Sequence, residues 1–195
     1  MDSTKLGEAR ISEAMQALEG CAGRIEHWHT GPLRFTRHRG DGWQVVLEKP
    51  AYALRAAIAF RATLKSLDDT YDSRIGIATG EVAMPLGPDL NVQSAEPFVV
   101  SGRALEIARR SDHWINYSLG GAFEATAILL DRIAREWTQP QATAMAHALH
   151  PLNEPEYTEI ARKLGKSRQA VTKSLHAAWY LEARTALTML ESALL

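Results

Sequence analysis

The sequence predicts an α+β protein in two parts, a mixed half over residues 1–119 followed by an all-α half over 122–195. Three observations carry that division. The stretch "RHRGDGWQVVLEKP", residues 37–50, places an alternating run on each side of Gly40-Asp41-Gly42, the pattern of a β-hairpin. Apolar residues then recur at helical spacing, interrupted by further strand-like runs, as far as Gly120-Gly121. Beyond that glycine pair every apolar pattern is helical and no strand signal remains.

Taken in order, "ISEAMQALEG" spaces Ile11, Met15 and Leu18 as one helix face, and Gly20 is expected to end that helix. "LRFTRH" and "WQVVL" are the two hairpin strands. Pro50 suits the opening of the next helix. There "AYALRAAIAFRATLKSL" sets Leu54, Ile58, Ala62 and Leu64 on one side, with Arg55, Arg61 and Lys65 elsewhere. "SRIGIATGEVAM" reads as a strand whose glycines mark close approach of another backbone. "PLGPDLNVQSAEP" is a loop with three prolines, "FVVSGRALEIARRS" a strand end or loop passing into a helix, and "DHWINYSL" a further strand. After the boundary, "AFEATAILLDRIAREW", "QPQATAMAHALH" and the remainder are helices.

Composition limits the functional classes. A chain of 195 residues with 46% apolar and 23% charged residues can bury a substantial core and is ordinary globular material. Cys21 is the one cysteine, so a disulfide within the chain is excluded, which suits a reducing compartment. No apolar run approaches the roughly 20 residues that span a bilayer. The opening "MDSTKLGEAR" is polar and lacks a signal-peptide core. A cytoplasmic location and no membrane partner are expected. Net charge is −1, with no global attraction to nucleic acid. Locally, Arg162, Lys163, Lys166, Arg168 and Lys173 stand against Glu156 and Glu159 between residues 156 and 178. Such a compact basic segment is the footprint of phosphate contact, or of a solvated helix face.

"YTEIARKLGKSRQAVTKSL" is the most informative motif. Two short helices that cross steeply need a small residue inside the first and a permissive residue in the turn. Ala161 and Gly165 fill those positions, and Ser167 stands where the second helix needs an N-cap. Ile160, Leu164, Val171 and Leu175 supply apolar contacts for the crossing. The second helix would present Arg168, Gln169, Thr172 and Lys173, with His176 one turn on. Arg and Gln can read guanine and adenine edges bidentately. Lys166, Ser167 and Lys173 suit phosphates, Ser167 with a helix N-terminus behind it. The expected partner is double-stranded DNA; an ordinary helical hairpin with solvated charges is the alternative. Lys166 departs from the pattern, since many such turns carry an aliphatic residue there. Ala183, Leu187, Leu190 and Leu194 form a later stripe, suited to core packing first and a dimer seam second.

The run from "RHRGDGWQVVLEKPAYALRAAIAF" through "SRIGIATGEV" and "FVVSGRALEIA" resembles class III nucleotide cyclases, where a GDG hairpin, an amphipathic helix and an "RIGIHTGEV"-like strand follow in this order. The whole chain is similar to the SatD family, small bacterial proteins that join a cyclase-like domain to a C-terminal helix-turn-helix. The resemblance implies a ferredoxin-like sheet and, in true cyclases, two metal ions held by two carboxylates. Asp41 matches the hairpin acid. The other acid belongs at the end of a first strand, but the chain opens on "MDSTKL", where Asp2 directly precedes Ser3 and is no convincing equivalent. Either that strand is absent, leaving an edge for another chain, or the start is misassigned. Where cyclases carry an Asn and, four residues on, an Arg, this chain has Ser101 and Leu105, with Arg103 out of step.

The expectation is therefore a protein without catalysis and without a cofactor or metal. Asp41 becomes a turn former, and Arg37, Asp41, Ser101 and Arg103 the remnant of a ligand cleft. The expected function is a homodimeric, sequence-specific DNA-binding regulator. A nucleotide-binding sensor, a residual metal-dependent cyclase and a protein-docking module are the alternatives. His27 and His29, two apart without a third ligand nearby, suit a surface turn better than a metal site. Trp28 and Trp43 suit the core, and Cys21 an inert position.

Overall fold

A computed structural model describes residues 7–29, 33–38, 40–83 and 85–194, and it is α+β, mostly helical, with two small sheets of two strands each. The elements run α1 (Glu8–Glu26), β1 (Arg34–His38), β2 (Gly42–Val46), α2 (Ala53–Leu67), β3 (Ile75–Ile77), α3 (Glu96–Arg110), β4 (Ile115–Tyr117), α4 (Gly121–Arg135), α5 (Gln139–Ala148), α6 (Tyr157–Leu164), α7 (Arg168–Ala177) and α8 (Tyr180–Ser192). Single 3-10 turns occupy Pro50–Tyr52 and Leu90–Val92. Asp2 and Ser3 lie outside the described residues.

Helix α1 does not stop at Gly20. Its buried stripe of Ala14, Met15, Leu18, Cys21, Ala22 and Ile25 keeps helical spacing straight through that position. Gly20 and Gly23 both lie on the exposed face, where each costs about 1 kcal/mol relative to alanine. Burial of the stripe outweighs that penalty. Cys21 is part of the stripe, and burial pushes its thiol pKa upward.

Helix α2 organises the molecule. Every residue from Leu54 to Lys65 is buried, so this helix has no solvent face over that length. Helices α1, α4 and α5 pack against it, and Phe60 meets the hairpin rings of Phe35 and Trp43 at centroid distances of 6.3 and 4.7 Å. Arg55, Arg61 and Lys65, placed off the apolar side by sequence spacing, are only 1%, 0% and 5% exposed. Each has a partner. Arg55 donates Nε and Nη2 to the Glu191 carboxylate of α8 at 2.6 and 2.8 Å. Arg61 makes a bidentate pair with Asp72 at 2.6 Å on both arms, and its Nη1 donates to Asp131 of α4. Lys65 Nζ donates to the Arg135 carbonyl at 3.1 Å. The hydrophobic core runs without a break from α1 and α2 through α4 and α5 to α8, passing the glycine pair at which sequence character changes.

The hairpin register pairs His38 with Gly42, so Gly42 is the first residue of β2. Gly40 supplies the positive φ there, at 70°. Strands β3 and β4 are parallel, as a helical crossover through α3 requires, and they form a sheet separate from the hairpin. The strand expected over residues 73–84 is, among the described residues, only Ile75–Ile77. Phe98–Val100 are helical, because α3 opens at Glu96 with Pro97 in its first turn, where the missing N–H is no loss.

Gly76 of β3 shows the close approach its strand suggested. A Cβ there would lie 2.2 Å from the Ser101 carbonyl oxygen and 2.4 Å from the Leu105 amide nitrogen of α3. Nothing lies within 4 Å of the equivalent position at Gly87. Gly76→Ala is expected to destabilise the fold by about 3 kcal/mol through overpacking, while Gly87→Ala stays within about 0.5 kcal/mol; urea unfolding checks both.

The half-buried imidazoles of His29 and His150 titrate below the ordinary histidine range, burial being the first cause in each case. The unfolded chain takes up these protons near pH 6.5, whereas the folded chain takes them up only at lower pH. Their contribution to stability is complete above that value and falls as pH drops through it toward the depressed folded pKa values. Thermal melting from pH 7.5 to 5 should show a smaller loss for His150→Gln than for wild type.

Candidate nucleic-acid interface

Helix α6 ends in a Schellman turn made by a single glycine. Gly165 stands at φ 61°, its N–H donates to the Arg162 carbonyl at 3.3 Å, and Lys166 N–H reaches back to the Ala161 carbonyl at 2.9 Å. Two residues later Ser167 is the N-cap of α7, its Oγ accepting from the Ala170 amide at 3.1 Å. These local bonds fix where α7 starts and how it leaves α6. Ile160, Ala161, Val171 and Leu175 are buried between the two helices and α5, and Leu164 packs against the same core. The C-terminal end of α7 is fastened separately, because buried Trp137 donates its indole N–H to the Ala178 carbonyl at 3.0 Å.

With Val171, Leu175 and Ala178 turned inward, the opposite face of α7 is solvent-exposed. Lys166, Ser167, Arg168, Gln169 and Ala170 form a continuous exposed run, followed by Thr172, Lys173 and His176. All the side chains proposed from sequence as DNA contacts therefore share one surface. Thr172 Oγ1 donates to the Arg168 carbonyl at 2.9 Å, which ties its hydroxyl to the helix. Lys163, at the end of α6, pairs with Glu159 at 2.8 Å, and that lysine holds the Glu159 carboxyl below its usual range. Lys166, Arg168 and Lys173 enter no ion pair among the described residues. The ridge thus carries net positive charge with apolar contacts only on its inner side. Geometrically, it is an exposed helix with donors at its N-terminal end, suited to anionic or hydrogen-bonding partners.

The second set of sequence-derived residues is divided between elements. Arg37 lies on β1 and pairs with Glu19 of α1 at 2.6 Å. Asp41 lies in the hairpin loop and is half-buried. Ser101 and Arg103 belong to α3, which packs on β3 and β4; Ser101 Oγ donates to the Phe98 carbonyl of its own helix at 3.0 Å, and Arg103 is exposed. His29 accepts the Lys49 amide at Nδ1, at 3.3 Å, and its ring meets Tyr52 edge-on. Trp28 is buried, and Trp43 stacks on Phe35 while donating to Ser73 Oγ at 3.2 Å. On α8, Ala183 and Leu187 are buried and Leu190 packs against them, so that stripe is core.

Sequence reasoning missed Trp137. A tryptophan closing an amphipathic stripe reads as generic core, and nothing local shows that its N–H meets a carbonyl 41 positions later. Ser167→Ala is expected to destabilise α7 by about 1 kcal/mol through the lost cap, and Gly165→Ala by about 1–2 kcal/mol through the left-handed backbone. Both changes should lower the melting temperature while far-UV circular dichroism at 20 °C stays nearly constant. Comparison of the chain with protein-family profiles, with curated proteins and with solved structures finds no match.

Proposed function

We propose that this protein is a sequence-specific DNA-binding regulator in which α6 and α7 act as a helix-turn-helix and α7 enters the major groove. The observation that carries the reading is the coincidence of cap, turn glycine and inward apolar residues with one uncovered basic ridge. In this reading Arg168 and Gln169, in the first turn of α7, read base edges, while Lys166, Ser167 and Lys173 hold phosphates. Thr172 and His176 flank the readout. The protein acts as a homodimer and, if the dimer is symmetric, its two ridges meet half-sites about 34 Å apart.

The first half is proposed to be a ferredoxin-like relative of class III cyclases that has given up catalysis, as in the SatD family. Support comes from the element order: hairpin, α2, β3, α3, β4. The reading of lost catalysis rests on the sequence, where Ser101 and Leu105 stand at the positions of the cyclase Asn and Arg. The continuous sheet of that fold is replaced here by two pairs of strands, so the likeness rests on order and motif.

The test starts from DNA recovered by the purified protein from a random duplex library. Arg168→Ala and Gln169→Ala should each weaken a mobility shift on the selected duplex by about 1–3 kcal/mol and relax the preference at one base pair. Lys173→Ala should weaken selected and unselected duplexes alike and lower the salt slope by about 1. Unchanged binding in both ridge variants removes the base-reading role.

A further inference from the structure

An open cleft of about 470 Å³ lies between residues 154–158, the start of α7 and the start of α8. That size is within the range of small-molecule sites. Its lining is charged and aromatic together. Arg184 and Glu154 satisfy each other at 2.8 Å. Arg168 and Glu156, also in the lining, have side chains with no ion pair or hydrogen bond among the described residues. One cation and one carboxylate are thus left over.

One further observation marks the wall formed by α8. Tyr180 is 2% exposed, yet its hydroxyl has no hydrogen-bond partner. Burial pushes its pKa up to about 12, so the group stays protonated and able to donate. A buried hydroxyl without a partner is an uncommon expense that native structures avoid. Tyr157 meets the Tyr180 ring edge-on at 6.5 Å, and Leu181, 56% exposed, adds an apolar surface at the rim. The N-terminal amides of α6 and α8 receive no side-chain cap, which favours an anionic group nearby.

We propose that this cleft binds a small zwitterion with an aromatic body, of the α-amino acid class. Its carboxylate meets Arg168 and the uncapped helix ends, its ammonium meets Glu156, and its body lies against Tyr157 and Leu181. Because Arg168 belongs to both the cleft and the exposed ridge, occupancy competes with duplex binding. That last clause rests on the reading of α7 given above; the binding itself does not.

The experiment is calorimetric titration of the full chain, without DNA, with L-phenylalanine, with phenethylamine and with 3-phenylpropionate. L-Phenylalanine should bind at one site with a dissociation constant between about 10 μM and about 1 mM, and each analogue, lacking one charge, at least about tenfold more weakly. Arg168→Met and Glu156→Gln should each weaken L-phenylalanine about tenfold. Leu181→Trp, a change at an exposed position that fills the cleft, should abolish binding with an unaltered melting curve. Absence of saturation by about 5 mM, or full binding by Leu181→Trp, overturns the site. Equal binding of 3-phenylpropionate overturns the zwitterion class. If L-phenylalanine binds but leaves the selected duplex bound in a mobility shift, the competition clause falls while the site stands. If no duplex is ever bound, the reading of α7 falls and the titration still decides the cleft.

Discussion

The structure depends on keeping two guanidinium groups out of water inside α2. Taking one such cation into a protein interior costs several kcal/mol, and the cost is met only when its partners are placed well. Arg61 has two carboxylates, from the segment after α2 and from α4, and Arg55 has one from α8. Losing Glu191 would leave the buried Arg55 charge without a carboxylate. The relation also runs in reverse. Asp131 is 0% exposed, and it accepts the Trp114 amide at 3.0 Å as well as the Arg61 guanidinium, so β4 is positioned through the same network. A helix without a solvent face therefore sets the places of α4, α8 and the parallel strand pair.

This arrangement joins the strand-bearing half to the part that carries the exposed basic ridge. Helix α7 lies on α5 and α6, α5 lies on α2, and Trp137 at the end of α4 holds the last carbonyl of the α7 turn. The ridge is presented by a firm scaffold, with its outward side chains left uncommitted. Rigid support beneath adaptable polar groups is what recognition of a shaped, charged partner requires.

Much of this was legible in the sequence, for identifiable reasons. The hairpin and the α6–α7 turn are local: Gly40, Gly165 and Ser167 act on residues within five positions of themselves, and local chemistry can be read from a short string. Helical halves announce themselves by period. What could not be read were pairings across long separations. Arg55 and Arg61 looked like charges beside an apolar stripe because their partners lie 136, 11 and 70 positions away. The extent of α1 was misjudged because Gly20 is a stop only when the buried stripe also ends. Phe98–Val100 read as a strand end or loop because short apolar runs carry no period of their own. The cleft beside α8 is assembled from three separated segments, which no local pattern brings together.

The pairing of Arg55 with Glu191 has a consequence for the order of events during synthesis. The acceptor lies in the last helix, whereas the donor sits less than a third of the way along the chain. Until α8 has emerged from the ribosome, the guanidinium has no carboxylate to receive it, and α2 cannot complete its burial. Burial of α2 is therefore completed by a helix made long after it, and α8 acts as the latch.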